Sequence, residues 1–274
     1  MARVDFTKMH GLGNDFVVLD TRRQSLPNMT GPIAAALADR HTGIGCDQLI
    51  VLEASDAADF RMRIYNRDGG EVEACGNASR AVALLHGSRA RIETAGGIID
   101  VSPGEGGASV DMGKPRFAWE AIPLAYAMDT VAMPLAWTKG GSTLENPMAV
   151  NVGNPHAVFF VEDADSVDLA TLGPRIETDD VFPQAVNVNV ASLAGTDQLT
   201  LRVWERGAGL TRACGTGACA TAVAAARKGL TGRRIAVDLP GGTLDIDWRD
   251  DDRIVMTGPA SESFRGDFEW EDFA

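Results

Sequence analysis

The chain has 274 residues, of which 45% are hydrophobic and 23% charged, a composition typical of a globular protein with about two domains. Its net charge of −13 argues against nucleic acids and anionic membrane surfaces as partners, because phosphate binding requires basic patches. No apolar run approaches the ~18 residues of a transmembrane helix, and the first residues lack a signal-peptide core. We therefore expect a cytoplasmic protein whose four cysteines remain thiols.

In chain order, short β-branched or alternating runs predict strands, and alanine-rich runs predict helices. The predicted strands are 16–19, 49–52, 61–65, 91–94 and 98–101, followed by 157–161, 186–190, 199–204, 234–237 and 243–246. The predicted helices are 33–39, 76–86 and 215–228. The last helix has small residues nearly all round and a stop at Gly229, which indicates a helix packed on several sides.

The second half of the chain repeats the first. Cys75 and Cys214, both within Ala-Cys-Gly, are 139 residues apart, and three further matched segments keep the same order and nearly the same offset. Such ordered self-similarity indicates an internal duplication. We predict an α+β fold of two structurally similar domains, each a strand-rich, barrel-like sheet around a central helix. The predicted domains are 1–117, with the tail 263–274 returning to it, and 118–262.

The two repeated cysteines lie where a strand and turn lead into a Gly-containing helix start. A helix N-terminus lowers the pKa of a thiol and can hold a carboxylate. If the two domains face each other, Cys75 and Cys214 flank one bound molecule. That arrangement suits inversion of a stereocentre, in which one group removes a proton and the other delivers one to the opposite face. Cys46 and Cys219 are instead expected to be core residues.

Other chemistries lack their sequence patterns. No C-x-x-C pair supports a zinc ribbon or a thioredoxin-like site. Residues 215–220 fit G-x-G-x-x-A, but no strand with an acidic end follows about 20 residues on, so a dinucleotide site is weakly supported. None of the four lysines lies in a repeated or Gly-rich setting, which disfavours a Schiff-base cofactor.

Four motifs carry a resemblance to a known family: HGLGNDF at 10–16, YN-x-DG-x-EVE-x-CGN at 65–77, GNPH at 153–156, and ER followed by CGTGACA within 205–220. In this order, along nearly the whole chain, they resemble the diaminopimelate epimerase family. The resemblance implies inversion of one α-carbon of LL-2,6-diaminopimelate to the meso form, for lysine and cell-wall synthesis. It also implies no cofactor and no metal, two similar domains closing over an amino-acid substrate, and a homodimer.

The same resemblance assigns the site. The family's thiolate base and thiol acid match Cys75 and Cys214, and two further groups near the thiols match His156 and Glu205. The implied substrate-binding residues are Asn14, Gln48, Asn66, Gly76, Asn77, Asn154, Asn187, Arg206, Gly215 and Thr216. Among them, Arg206 is suited to a bidentate grip on the distal carboxylate. The chain departs from the family pattern at Arg67, Gly70, Ala74, Ala78 and Ser79.

Two alternatives stay open from the sequence. One is a racemase of another amino acid on the same duplicated fold, without pyridoxal phosphate. The other is a non-catalytic amino-acid-binding protein, although binding alone requires neither cysteine. Exchange of the substrate α-proton distinguishes both from the epimerase hypothesis.

Overall fold

The computed structural model describes residues 3–73, 75–104 and 106–274; Ala74 of the first Ala-Cys-Gly lies outside the described residues. The chain divides into two compact units, which are unit 1 (Met1–Val110 with Gly258–Ala274) and unit 2 (Asp111–Thr257). The domain bounds placed at 117 and 262 from the sequence stay a prediction. Within the described ranges, no helix combines the length and the apolar character needed to cross a membrane.

Over the described residues, the chain alternates strands with four α-helices. Its first part contains β1 (Arg3–Gly11), β2 (Asn14–Asp20), α1 (Gly31–Ala38), β3 (Gln48–Glu53), β4 (Phe60–Asn66), β5 (Glu71–Val72), α2 (Gly76–His86), β6 (Ala90–Thr94), β7 (Gly97–Gly104) and β8 (Gly107–Asp111). Next come β9 (Ala136–Lys139), β10 (Ser142–Glu145), β11 (Met148–Asn151), β12 (Pro155–Phe160), α3 (Leu169–Glu177), β13 (Asn187–Gly195), β14 (Gln198–Glu205) and β15 (Gly209–Thr211). The last elements are α4 (Gly215–Arg227), β16 (Arg234–Leu239), β17 (Gly242–Trp248), β18 (Ile254–Gly258), β19 (Ser261–Glu269) and a 3-10 helix (Trp270–Asp272).

The strand pairing confirms the predicted duplication. In unit 1, β2 pairs in parallel with β3, β3 and β4 are antiparallel, and β4 pairs with β5 antiparallel and with β6 in parallel, before β6 turns antiparallel into β7. Strands β12 to β17 repeat these pairings in the same directions. The registers correspond as well, since Phe16 faces Gln48 in unit 1 and His156 faces Asn187 in unit 2.

Each unit has its own helix among strands, so the α+β prediction is confirmed. In unit 1, α2 contacts β1, β7 and β19. In unit 2, α4 contacts β11 to β14, β16 and β17. The residues of α4 from Gly217 to Ala225 are all buried, because Gly, Ala, Cys and Thr side chains leave room for strands on several sides. The helix ends at Arg227 with Lys228 as its cap, and Gly229 follows with φ of 71°.

The sequence missed α3, which supplies much of the core of unit 2. Leu169, Leu172 and Ile176 of this helix are buried in the core cluster of unit 2, and the helix contacts β9, β13, β14 and β15. Its sequence LATLGPRIE contains Gly173 and Pro174, which resemble a turn signal. Gly173 is required by packing, because an added Cβ would lie 2.5 Å from Cγ of Trp204. The helix begins where the carboxylate of Asp168 accepts from the amide of Thr171.

Candidate active site

Cys75 caps the N-terminus of α2 in unit 1. Its backbone is extended, with φ of −147° and ψ of 112°, and its Sγ accepts a hydrogen bond from the amide of Ala78 at 3.5 Å. Ser79 adds a side-chain bond from Oγ to the carbonyl of Cys75 at 2.9 Å. The sulfur therefore lies at the positive end of a helix, in direct contact with one of its first amides.

Asn14 orients its side-chain oxygen toward this thiol. Its Nδ2 donates to Oδ2 of Asp47 at 3.1 Å, and a carboxylate only accepts, so the amide has one defined orientation. Oδ1 of Asn14 consequently faces Sγ of Cys75 at 3.8 Å and Nδ2 of Asn77 at 3.2 Å. Arg80, fully buried, donates to Oδ1 of Asn77 at 2.8 Å and so orients that amide in turn.

Asp47 belongs to a charge network that the sequence analysis did not find. Arg40 Nη2 donates to Asp15 at 2.6 Å and to Asp47 at 2.7 Å, while Lys8 Nζ donates to Asp15 at 2.6 Å. These cations lower the pKa of Asp15 against the opposing effect of burial. The network holds Asp47 where it fixes Asn14. The sequence hinted at this network only in that Asp47 precedes Gln48, a predicted site residue.

Gln48 and Asn66 meet at the ends of neighbouring strands of unit 1. They are opposite each other in the β3–β4 register, and Nε2 of Gln48 donates to Oδ1 of Asn66 at 3.0 Å. Gly76 and Asn77 are the first two residues of α2. In unit 1 the structure thus places these four predicted residues and Asn14 at strand ends or the helix start, and their role in binding substrate stays a prediction.

Cys214 caps α4 in unit 2 with nearly the same backbone geometry, φ of −125° and ψ of 107°. Its Sγ accepts from the amide of Gly217 at 3.4 Å and lies 3.5 Å from Oγ1 of Thr216. Gly215 and Thr216 form the first turn, as Gly76 and Asn77 do in unit 1. The thiol itself is buried, 3% exposed, and the carboxyl group of Glu205 lies near enough to affect its charge.

Glu205 lies at the end of β14, beside Cys214. Its Oε1 accepts from Oγ1 of Thr211 at 2.5 Å. Burial raises the pKa of this carboxyl, and the hydrogen bonds from Thr211 and Cys214 oppose that rise. A half-buried carboxyl thus lies near a buried thiol, and a proton can pass between the two groups.

The lowered pKa expected for a thiol at a helix start is wrong for Cys214. Burial raises the pKa of this thiol well above its usual value, and the Glu205 charge raises it further. The bonds from Thr216 and Gly217 favour the thiolate but do not offset these effects. The sequence showed that Cys214 lies at a helix start but not how deeply it is buried, and burial has the larger effect on its pKa.

His156 is completely buried on β12 and is held neutral. Its Nδ1 accepts from Nδ2 of Asn189 at 2.9 Å, so the proton lies on Nε2, which donates to Oδ1 of Asn154 at 2.8 Å. Burial lowers the pKa of His156 to about 3, and the charge of Arg206 acts in the same direction. Asn189 was missed because it lies in the strand-like run VNVNVAS, whose apolar residues suggested core.

The buried neutral state of His156 makes stability depend on pH. His156 binds a proton near pH 6.5 in the unfolded chain but only near pH 3 in the folded chain. The stability that depends on neutral His156 is therefore fully present above pH 6.5 and is lost as the pH falls below it. The loss is about 1.4 kcal/mol per pH unit, or about 2 kcal/mol at pH 5. Urea unfolding of the wild type and His156→Gln at pH 7 and pH 5 measures it. The variant should lose less stability, and equal losses would contradict the assignment.

The remaining predicted residues of unit 2 are Asn187, which begins β13, and Arg206, which follows β14. Asn187 is buried, with Nδ2 donating to the carbonyl of Pro155 at 2.8 Å and Oδ1 accepting from the amide of Arg206 at 3.0 Å. The guanidinium of Arg206 is exposed and donates to the carbonyl of Gln184 at 3.0 Å. Its predicted grip on a distal carboxylate stays a prediction.

Gly217, in the first turn of α4, packs closely against Asn189, the hydrogen-bond partner of His156. An added Cβ would lie 2.9 Å from Oδ1 of Asn189 and 3.1 Å from Cγ2 of Val203, so glycine is needed there.

Over the described ranges, the structure contains no group of three or more His, Cys, Asp or Glu side chains arranged to hold a metal ion.

The family model for diaminopimelate epimerase matches residues 6–118 and 148–262. The diaminopimelate epimerase of Erythrobacter litoralis (strain HTCC2594) is 70% identical, covering 99% of this chain and 100% of that protein. Those of Sphingopyxis alaskensis and Zymomonas mobilis are 61% and 53% identical, each covering 98% of this chain and 98% of that protein.

Solved structures show the same fold at much lower identity. A probable proline racemase from Agrobacterium radiobacter K84 aligns with a TM-score of 0.69 at 14% identity, covering 97% of this chain and 93% of that one. A PhzF-family phenazine biosynthesis protein from Bacillus anthracis aligns with a TM-score of 0.65 at 15% identity, covering 98% and 100%. The family match over both halves, together with the near full-length identity to curated relatives, shows that this chain is an isomerase and belongs to the diaminopimelate epimerase family.

Proposed function

We propose that the protein interconverts LL- and meso-2,6-diaminopimelate by two proton transfers, with Cys75 on one face of the α-carbon and Cys214 on the other. The observation that carries this proposal is the matched position of the two thiols. Each caps a helix, and each sulfur accepts a hydrogen bond from an amide of the first turn, Ala78 or Gly217. Two equivalent thiols in two copies of one domain suit a reaction whose reverse exchanges acid and base.

In this mechanism one sulfur removes the α-proton as a thiolate, and the other delivers a proton to the opposite face as a thiol. The raised pKa of Cys214 makes it a thiol at neutral pH, ready to donate. When Cys214 acts as the base, its proton passes first to Glu205, whose carboxyl group lies near the thiol. His156 keeps the Asn154 amide oriented through its Nε2, so that the Asn154 Nδ2 group is available to the substrate.

The helix starts hold the reacting carboxylate. Gly76 and Asn77 begin α2, and Gly215 and Thr216 begin α4, so their amides provide positive ends for a substrate anion. The same amides favour the negative charge that develops on the carboxylate once the α-proton is removed. Asn66, Gln48, Asn187 and Arg206 would then bind the distal end of the substrate.

The wider assignments follow the family. The proposed reaction uses neither pyridoxal phosphate nor a metal, because the two thiols supply both proton transfers. We assign it to lysine and peptidoglycan precursor synthesis, in the cytoplasm, with the protein acting as a homodimer.

Exchange of the α-proton tests the reaction. The protein is incubated with LL-diaminopimelate in heavy water without added cofactor, and deuterium at the α-carbon is followed by mass spectrometry. We expect deuterium uptake together with the appearance of the meso isomer. Folded protein that exchanges proline, hydroxyproline or histidine but leaves diaminopimelate unlabelled would instead establish a racemase of another amino acid.

A further inference from the structure

We propose that Thr211 is a positioning residue, whose hydroxyl holds the Glu205 carboxylate in place for proton exchange with the Cys214 thiol. The inference rests on the proposed thiol chemistry. It adds a residue that neither the motifs nor the family resemblance singled out, and it explains how a carboxyl in a desolvated setting remains able to accept a proton.

The geometry comes from one hairpin. Glu205 ends β14 and Thr211 ends β15, and these two strands pair so that Thr211 faces Val203. From that position Oγ1 of Thr211 donates to Oε1 of Glu205 at 2.5 Å. A hydrogen bond from a neutral hydroxyl to a carboxylate is short and strong. It orients the carboxylate and favours its ionised form.

The electrostatics explain why the hydroxyl is needed. Burial raises the pKa of Glu205, and the groups that oppose it are the hydroxyl of Thr211, from β15, and the thiol of Cys214, from the cap of α4. Over the described ranges no arginine or lysine forms an ion pair with Glu205, and the guanidinium of the adjacent Arg206 is directed to the carbonyl of Gln184. When Cys214 delivers its proton to the substrate, the hydroxyl of Thr211 still donates to the Glu205 carboxylate and keeps it in place.

The duplication supplies an internal comparison. In the equivalent β4–β5 hairpin of unit 1, Val72 faces Ile64 as Thr211 faces Val203, and Asn66 stands where Glu205 stands. Valine has the shape of threonine without the hydroxyl, so this hairpin does not require a hydroxyl to form. The hydroxyl is present in the copy that carries an ionisable carboxyl, and it is replaced by a methyl group in the copy that carries a neutral amide.

The kinetic test compares Thr211→Val, which removes the donor at constant shape, with Thr211→Ser, which keeps it. We expect kcat of the valine variant to fall about 10- to 100-fold, as for loss of a hydrogen bond to a charged group, with KM changing much less. Loss of the donor raises the pKa of Glu205, so the acidic limb of the pH profile should move to higher pH. The serine variant should recover both the rate and the profile.

Thr243→Val is the matched control, because Oγ1 of Thr243 donates to Asp238 at 2.6 Å on the exposed β16–β17 hairpin of the same unit. We expect the wild-type rate and pH profile from it. A Thr211→Val enzyme with wild-type kcat and an unshifted profile would overturn the proposal. Should valine prevent folding, Thr211→Ala removes the hydroxyl without a branch and carries the same expectation.

A titration without substrate separates this proposal from the proposed reaction. Protein carrying ¹³C in its glutamate carboxyl groups is titrated by NMR, and the Glu205 signal is assigned by its loss in Glu205→Gln. We expect its midpoint to rise in Thr211→Val and to stay near wild type in Thr211→Ser. An unchanged midpoint in the valine variant refutes the role of Thr211, whereas a shifted midpoint in a protein that does not turn over diaminopimelate supports it and refutes the substrate assignment.

Discussion

Replacing either Cys75 or Cys214 by alanine should reduce epimerisation by about 10³-fold or more, because each proton transfer then loses its positioned acid or base. Alanine keeps the Cβ that packs at each helix cap and removes the sulfur that accepts from Ala78 or Gly217. The loss of one weak cap hydrogen bond should cost little stability. Chiral chromatography of the diaminopimelate isomers measures the rate, and thermal unfolding confirms the fold.

Cys219→Ala provides the control for this pair. Cys219 lies on α4, five residues beyond Cys214, and is fully buried in the core as expected from the sequence. Its replacement should lower stability by about 1 kcal/mol, through the lost packing of a small apolar group, and leave kcat within a few-fold of wild type. Near-normal turnover by Cys75→Ala or Cys214→Ala would refute the mechanism with two thiols.

Replacing Glu205 by glutamine should reduce kcat by about 10²-fold, since an amide cannot take the proton of Cys214. Glutamine keeps the length of the side chain and an oxygen for the Thr211 hydroxyl, so the hairpin should remain intact. Removing the charge beside Cys214 also removes one of the causes that raise the pKa of that thiol. Because the side chain keeps its length but cannot accept a proton, the variant should have a KM similar to wild type and a lower kcat. Steady-state kinetics measures both.

Glu177→Gln tests whether any carboxylate near this hairpin has the same effect. Glu177 accepts from Nε1 of Trp204 at 2.6 Å and from the amide of Gly207 at 2.7 Å, so it supports the hairpin from α3. Its substitution should lower the unfolding temperature and leave kcat within a few-fold of the wild-type value. If the Glu205→Gln and Glu177→Gln variants lose the same modest activity, Glu205 serves only the structure.

Helix boundaries near the thiols followed from local rules. The helix predicted over 76–86 has those bounds, and the one predicted over 215–228 ends at Arg227, with Lys228 as its cap. Alanine-rich runs bounded by Gly leave few other local conformations, which is why these elements were predictable. By contrast, α3 has no such composition, and its buried Leu172 and Ile176 form a helix face only because the strands of unit 2 cover them.

The long strands at the two chain ends depend on partners far away in the sequence. β1 and β19 pair over most of their length, with Val4 opposite Phe268, and neither strand was predicted. The sequence did place a returning tail with the first domain, but the residues of β19 are mostly exposed and lack a strong pattern. A strand of this kind is defined by its neighbour rather than by its own residues.

The sequence by itself determined the duplication, the fold class and the positions of the two motif cysteines, because repeated motifs and helix starts are local features. The tertiary structure decided how each thiol behaves. Burial opposes the helix start and raises the pKa of Cys214, Asp47 fixes the orientation of Asn14, and Thr211 reaches Glu205 across a hairpin. These effects depend on solvent exclusion and on contacts between segments, neither of which a linear pattern records.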